Sequence, residues 1–382
     1  MYFYAIVFIS ILLPLVLKNK KLALRISFFF LFILLGFQFE LVADWGPNIG
    51  RWQYVNEGAG EGALGTAIKM GPVFMWLLKV LKPITFYGWL MLSAASFLFL
   101  IYKFTRYYVS PRYYWLTILT MMLNVEYAPL IINSNRQFIS MIFVLVGVLF
   151  LLGNFNLDIK IPFFPKKLNQ YIFCISFLFL GSQCHSAAYL SFLLVPIYFL
   201  ARKYNGNNWI ILAVICDFIF LGRIFLNTSW IQNYVSVFSA ALNIGDTDYY
   251  TEWFDNQLID ISISYTFVYC VIIALIAYCY RKMNFAMKFF SLSWYIGWTI
   301  ASYFTGNINR LGEYFYIFGL FVIPYMFSYI ISMKGNLKKY IGILCLLLFI
   351  GYTAAHSWTQ MNTIYYERWL DYKSVFDAPR WE

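Results

Sequence analysis

Apolar runs long enough to cross a hydrocarbon core recur along this chain from its first residues to position 356, and no other feature restricts the fold as severely. A bilayer core of about 30 Å needs roughly 20 apolar residues in a helix, because lipid offers backbone amides no partner and a helix satisfies them internally. The runs predict about twelve transmembrane helices, at 2–17, 26–43, 84–102, 113–132, 137–153, 169–184, 186–201, 209–226, 262–280, 285–304, 313–331 and 339–356. Composition agrees: 62% hydrophobic, 22% aromatic and 12% charged residues exclude a soluble globule of 382 residues. The two runs meeting at Cys184 and His185 read as short or re-entrant segments. No repeat, low-complexity tract or linker divides the chain, so the expectation is an all-α polytopic membrane protein with one integral membrane domain, 1–382.

Basic residues orient such a chain, since short cytoplasmic loops keep Lys and Arg while translocated loops lose them. With the N-terminus outside, one face receives Lys18, Lys20, Lys21 and Arg25; Lys103, Arg106 and Arg112; Lys160, Lys166 and Lys167; Arg202 and Lys203; Arg281, Lys282 and Lys288; and Lys334, Lys338 and Lys339. Those are 18 of the 28 basic residues, joined by a single acid, Asp158. Of the 17 acids, Asp217 falls inside a span and the other fifteen lie on the opposite face, so both termini are expected outside. The net charge of +11 is thereby a topology signal, and nucleic acid is not expected as a partner.

The cysteines at 174, 184, 216, 270, 279 and 345 all sit in apolar runs, which points to packing rather than to disulfides or thiolate metal sites. The first run lacks a basic leader and a small-residue cleavage site, and reads as a retained helix. The inner loops hold no G-x-x-x-x-G-K-[ST] or G-x-G-x-x-G stretch to cradle a nucleotide. Chemistry is therefore expected outside, where loops of about 44–83 and 227–261 and a tail, 357–382, hold most of the acids.

The first outer loop opens "FELVADWGPNIGRWQYVNEG". A carboxylate at the end of a span, such as Asp44, is placed to accept a proton from a hydroxyl, and reduced hydration raises its pKa toward a useful value. Its turn-forming context "DWGPN" fixes the side chain, against the plainer reading of a solvated loop; Glu57 and Glu61 read as solvated. Arg51, Trp52 and Tyr54 follow it. "GPVFMWLLKVLKP" is apolar at helical spacing, too short to span, and is expected to lie in the interface plane as an anchor, with Lys79 and Lys82 at its end.

Three further positions stand out. Arg136 opens the run "NSNRQFISMIFVLVGVLFLL", followed by Gln137. An arginine in the apolar region costs about 2.5–3.5 kcal/mol and is rarely unpaired. It reads either as a snorkelling side chain paired with Glu126, or as a bidentate grip on a phosphate or diphosphate at the membrane surface. His185, in "GSQCHSAAYL", reads as a helix-bridging histidine or as an acid/base or diphosphate contact, whereas His356 reads as structural. Arg310 and Glu313, three apart in "NRLGEYFYIFGLF", read as an i,i+3 ion pair or as a second cation for the same anion with a carboxylate holding it. Asp246 and Asp248 lack a third ligand, so the segment reads as a solvated acidic loop and no metal is expected.

The order of these features resembles the EpsG family of Wzy-type polysaccharide polymerases, over nearly the whole chain. The resemblance rests on "ADWGPNIGRWQYVNE", "NRQFISMIFVLVGVLFLL", "QCHSAAYLSFLLVP", "NRLGEYFYIFGLF" and the aromatic tail "NTIYYERWLDY". The family pattern has an acid in the first outer loop, here Asp44; Arg-Gln opening a span, here Arg136 and Gln137; a helix-break histidine, here His185; and an arginine before an aromatic span, here Arg310. The "DWGPN" turn departs from a more glycine-flanked acidic turn. The resemblance implies a GT-C-like glycosyltransferase at the outer face of the bacterial cytoplasmic membrane. It would transfer a glycan from undecaprenyl diphosphate onto another lipid-linked repeat unit, with no metal, nucleotide or other cofactor. Arg136, Arg310 and Gln137 would bind the diphosphate, Asp44, His185 and Glu313 would serve catalysis, and Arg51, Trp52, Tyr54 and Tyr365 would meet the glycan. The implied partners are the undecaprenyl-diphosphate-linked oligosaccharide, membrane lipids and a chain-length regulator.

Three rivals share parts of this pattern. A flippase fits the span count, but alternating access favours inward charges or internal repeats, and neither is visible. An O-acyltransferase needs acids and histidines near a cytoplasmic acyl-donor route, which the inner loops lack. A GT-C enzyme using a polyprenyl-phosphate donor, or a glycan ligase, is chemically nearest and stays open.

Overall fold

The computed structural model describes residues 2–39, 45–57, 70–124, 127, 135–154, 165–204, 274–303, 309–360 and 373–374. The expected span 209–226, most of 262–280 and the outer loop 227–261 lie outside the described residues, as do Asp44, Glu126, Asp246, Asp248 and Tyr365.

Helices dominate. Helix α1 (Tyr2–Val16) is followed by α2 (Lys20–Gly36), whose start is set by Asn19, the side chain of which accepts from the Leu22 N–H at 3.1 Å. This cap places Lys20, Lys21 and Arg25 on the helix itself, ahead of the expected start at residue 26. Helix α3 (Trp45–Glu57) occupies what reads in the sequence as loop, and α4 (Pro72–Val80) is the short apolar segment, opened by Gly71 and Pro72. Next come α5 (Thr85–Tyr108) and α6 (Tyr114–Leu123). The latter ends at Leu123, short of the expected residue 132, with Asn124 in extended backbone as its C-cap. Helix α7 (Asn135–Leu151) and α8 (Lys166–Cys184) lead into a 3-10 segment, Ser186–Leu193, and α9 (Leu194–Lys203). After a helical stretch at 274–280 follow α10 (Phe285–Tyr303), α11 (Asn309–Tyr316), α12 (Gly319–Ile331) and α13 (Asn336–Gln360).

The all-α expectation needs one amendment. Gln38–Phe39 (β1) and Lys373–Ser374 (β2) pair antiparallel, joining the end of α2 to the tail, Gln38 opposite Ser374 and Phe39 opposite Lys373. Two described segments are long and apolar enough to cross a membrane, Lys82–Tyr108 and Gly312–Ile331, and Tyr2–Val16, Arg136–Leu151 and Lys339–Ala355 are shorter apolar helices. The protein is a helical membrane protein.

Backbone contacts divide the chain into two compact units. The first comprises residues 1–146, 183–185 and 323–382. In it α2 packs on α1 and α5, and α6 on α1 and α13. Ser27 Oγ donates to the Ser10 carbonyl at 2.8 Å between α2 and α1, and Arg25 Nε donates to the Tyr102 hydroxyl at 3.3 Å between α2 and α5. Phe97 of α5 lies against Phe138 of α7, ring centres 4.2 Å apart. The second unit comprises 147–182 and 186–322. In it α10 packs on α9 and α11, and Phe290 stacks on Phe318 at 5.0 Å with rings nearly parallel.

Candidate functional site

Helix α3 carries three of the expected glycan residues. Its sequence, "WGPNIGRWQYVNE", has glycines and a proline in the first turns that mask its helical character, yet Pro47 is tolerated there because early amides need no intrahelical partner. Trp52 is buried and meets Phe86 of α5 edge-on at 6.2 Å, fixing α3 to that helix. Arg51 is buried as well, its Nη1 donating to Asn48 Oδ1 at 2.6 Å one turn earlier. Tyr54 is half-buried and Glu57 exposed. Trp45 is helical, next to Asp44, which lies outside the described residues.

The second group forms where α8 ends. Cys184 is the last helical residue and fully buried; His185, half-buried, stands between α8 and the 3-10 segment, so the expected helix break at this histidine is present. Gly71, the residue that caps α4, approaches this break so closely that a Cβ there would overlap the Gln183 carbonyl, with 2.7 Å to its carbon and 3.2 Å to the Cys184 oxygen. The start of α4 is thereby set against the backbone at the end of α8.

Arg136 acts on the same place: its charge reaches the Cys184 thiol. The expected span began at 137, but α7 begins at Asn135, which puts Arg136 inside the first helical turn, half-buried. No acid occupies that turn. A guanidinium at the positive end of a helix concentrates positive potential, the reverse of the usual preference for carboxylates there, and suits an anion. Gln137 beside it is 2% exposed, and its Nε2 has no hydrogen-bond partner among the described residues.

Arg310 and Glu313 lie on α11, in the second unit, at the expected three-residue spacing. Glu313 is half-buried with a buried Oε2. Gly297 of α10 lets α11 approach: a Cβ there would lie 2.6 Å from Phe315 Cβ and 2.7 Å from the Gly312 carbonyl. The 3-10 segment also packs on α11. His356 lies on α13. The described cysteines, 174, 184, 279 and 345, are free thiols, and no cluster of three or more metal-ligating side chains gathers among the described residues.

Sequence reasoning did not single out Asn48, Asn56 or Gly71. The signal for the asparagines is the spacing 48, 51, 52, 56, one helical face, visible only once α3 is read as a helix. The signal for Gly71 is weak, since its φ of −64° is open to any residue and only the neighbouring backbone demands a glycine.

The fold and these residues define the class, a helical membrane protein with charged and polar side chains placed at helix ends. Residues 21–374 match the EpsG family, and the chain belongs to that family, whose members are Wzy-type polymerase-like. Its role is accordingly polysaccharide polymerase-like, with associated glycosyltransferase-like activity. No curated protein and no solved structure matches the chain.

Proposed function

We propose that this protein polymerises a polysaccharide by moving a growing glycan from undecaprenyl diphosphate onto the non-reducing end of another lipid-linked repeat unit. It does so at the outer face of the bacterial cytoplasmic membrane, as a single multi-pass domain of about twelve spans with both termini outside. The observation that carries this reading is Arg136 within the positively polarised first turn of α7, with the buried Gln137 beside it, whose Nε2 has no hydrogen-bond partner among the described residues, and His185 at the neighbouring helix break. A diphosphate leaving group develops negative charge as its bond to the sugar breaks, and donors fixed in advance stabilise that charge without reorganising. Arg310 is the second cation in this scheme.

In the reaction the acceptor hydroxyl attacks the donor's anomeric carbon, a new glycosidic bond forms, and the bond to the diphosphate breaks with its electron pair. Asp44, His185 or Glu313 takes the acceptor proton. The leaving group arrives already activated, so no nucleotide or metal is needed. Arg51, Trp52, Tyr54 and Tyr365 meet the glycan; the lipid tails lie between spans, and a chain-length regulator is the partner protein. The β1–β2 pairing supports the topology, because Gln38 and Ser374 on one face require an even number of crossings between them, as twelve spans from an outer N-terminus give.

The testing experiment is complementation of a strain lacking the gene. Arg136→Ala is expected to abolish long chains while the protein stays in the membrane. Normal long-chain glycan from that variant would sink the diphosphate grip.

A further inference from the structure

Helix α3 is buried on the wrong chemistry. A helix packed against apolar neighbours normally buries an apolar stripe, yet the buried face here carries Asn48, Arg51 and Asn56, each 8% exposed, around Trp52 at 4%. The Arg51–Asn48 hydrogen bond accounts for one pair. Asn56 differs: its Oδ1 and Nδ2 are both buried and neither has a hydrogen-bond partner among the described residues. Burying an amide with both ends unsatisfied costs stability, and more than nine in ten buried polar groups avoid it. Such a group calls for an explanation, and a role in binding or catalysis is one of those that stability does not supply.

The chemistry of the group limits what that is. A carboxamide is neutral and offers an acceptor and donors side by side, which matches a pair of neighbouring hydroxyls or an acetamido group rather than a phosphate. The Arg51 guanidinium, held one turn away by Asn48, adds fixed donors to the same face, and the Trp52–Phe86 contact anchors that face on α5. We propose that Asn56 is a sugar-reading residue, its amide hydrogen bonding hydroxyl or acetamido groups of the repeat unit, with Asn48 positioning Arg51 beside it. The inference rests on the polymerase reading above and adds to it the residue that selects the sugar.

The test uses full-length protein in nanodiscs and the lipid-linked repeat unit isolated from a strain lacking this gene. Asn56→Leu removes the amide at similar volume. It is expected to leave the thermal midpoint of the free protein unchanged or raised, to abolish the upward shift of the midpoint on adding the repeat unit, and to raise KM about tenfold with a smaller change in kcat. Asn56→Ala, which adds no bulk, is expected to show the same loss of the ligand-induced shift. A free-protein midpoint lowered by Asn56→Leu, with Asn56→Ala still stabilised by the repeat unit, would show that the amide is structural and overturn the proposal, as would a wild-type KM in either variant. Wild-type protein that the repeat unit stabilises but that extends no chain would overturn the polymerase reading alone, leaving Asn56 to be judged by the midpoint shift. Wild-type protein that the repeat unit does not stabilise would overturn the inference.

Discussion

Gly71→Ala is the substitution whose consequence follows most directly from the geometry. The φ of −64° at Gly71 suits any residue, so the added methyl group acts through space alone. That group would overlap the Gln183 carbonyl and lie 2.7 Å from its carbon, where carbon atoms rest at about 3.5–4.0 Å. Both sides of the contact are backbone, so no side chain can swing away, and relief requires the start of α4 and the end of α8 to part by about 1 Å. Overpacking of this kind costs about 1–3 kcal/mol. The displaced residues are Gln183 and Cys184, adjoining His185 and within reach of the Arg136 charge. A misplacement of about 1 Å in a site that works by positioning costs on the order of 100-fold in rate. The assay is chain extension by purified protein, with the thermal midpoint measured on the same sample. Gly351→Ala is the control, because a Cβ there has nothing within 4 Å, and in a helix alanine is favoured over glycine by up to about 1 kcal/mol. Wild-type extension and an unchanged midpoint in Gly71→Ala would refute the claim that this contact sets the His185 break.

Other outcomes follow from the same site. Arg136→Lys keeps the charge but loses the planar fork, and is expected to retain only a small part of the extension rate of wild type, as read from glycan length on gels. Gly297→Ala is expected to weaken the packing of α11 on α10 and to lower both the thermal midpoint, by about 1–3 kcal/mol in stability, and the extension rate, through Arg310 and Glu313. Pairing Arg136→Ala with Arg310→Ala in a double-mutant cycle tests the proposal that both serve one anion, which predicts a combined loss well short of the sum of the two; strict additivity would assign them to different ligands.

Much of the fold was legible because the bilayer imposes a single solution on a long apolar run. The starts and ends of α1, α7 and α10 lie within a few residues of where apolar periodicity places them. Local polar chemistry decided the remainder. Asn19 draws α2 back over the basic residues, and α6 ends before "NVEYAPLII", where Asn124 takes up extended backbone as the C-cap. Helix α3 was not legible: glycines and a proline at its start and polar residues on its buried face remove both the propensity and the periodicity that announce a helix. Among the site residues, Arg136 and His185 were visible because a charge or a histidine is conspicuous in an apolar run. Asn56 and Gly71 were not, since burial of an ordinary asparagine and proximity of a foreign backbone are properties of tertiary structure alone.

Extension by the isolated protein is the measurement that bears most directly on the proposed reaction. Purified wild-type protein in nanodiscs, given only the undecaprenyl-diphosphate-linked repeat unit in buffer with EDTA, is expected to yield a ladder of lipid-linked oligomers and free undecaprenyl diphosphate, while Arg136→Ala yields neither. Single repeat units that persist unless a nucleotide sugar or a divalent metal is added would contradict it.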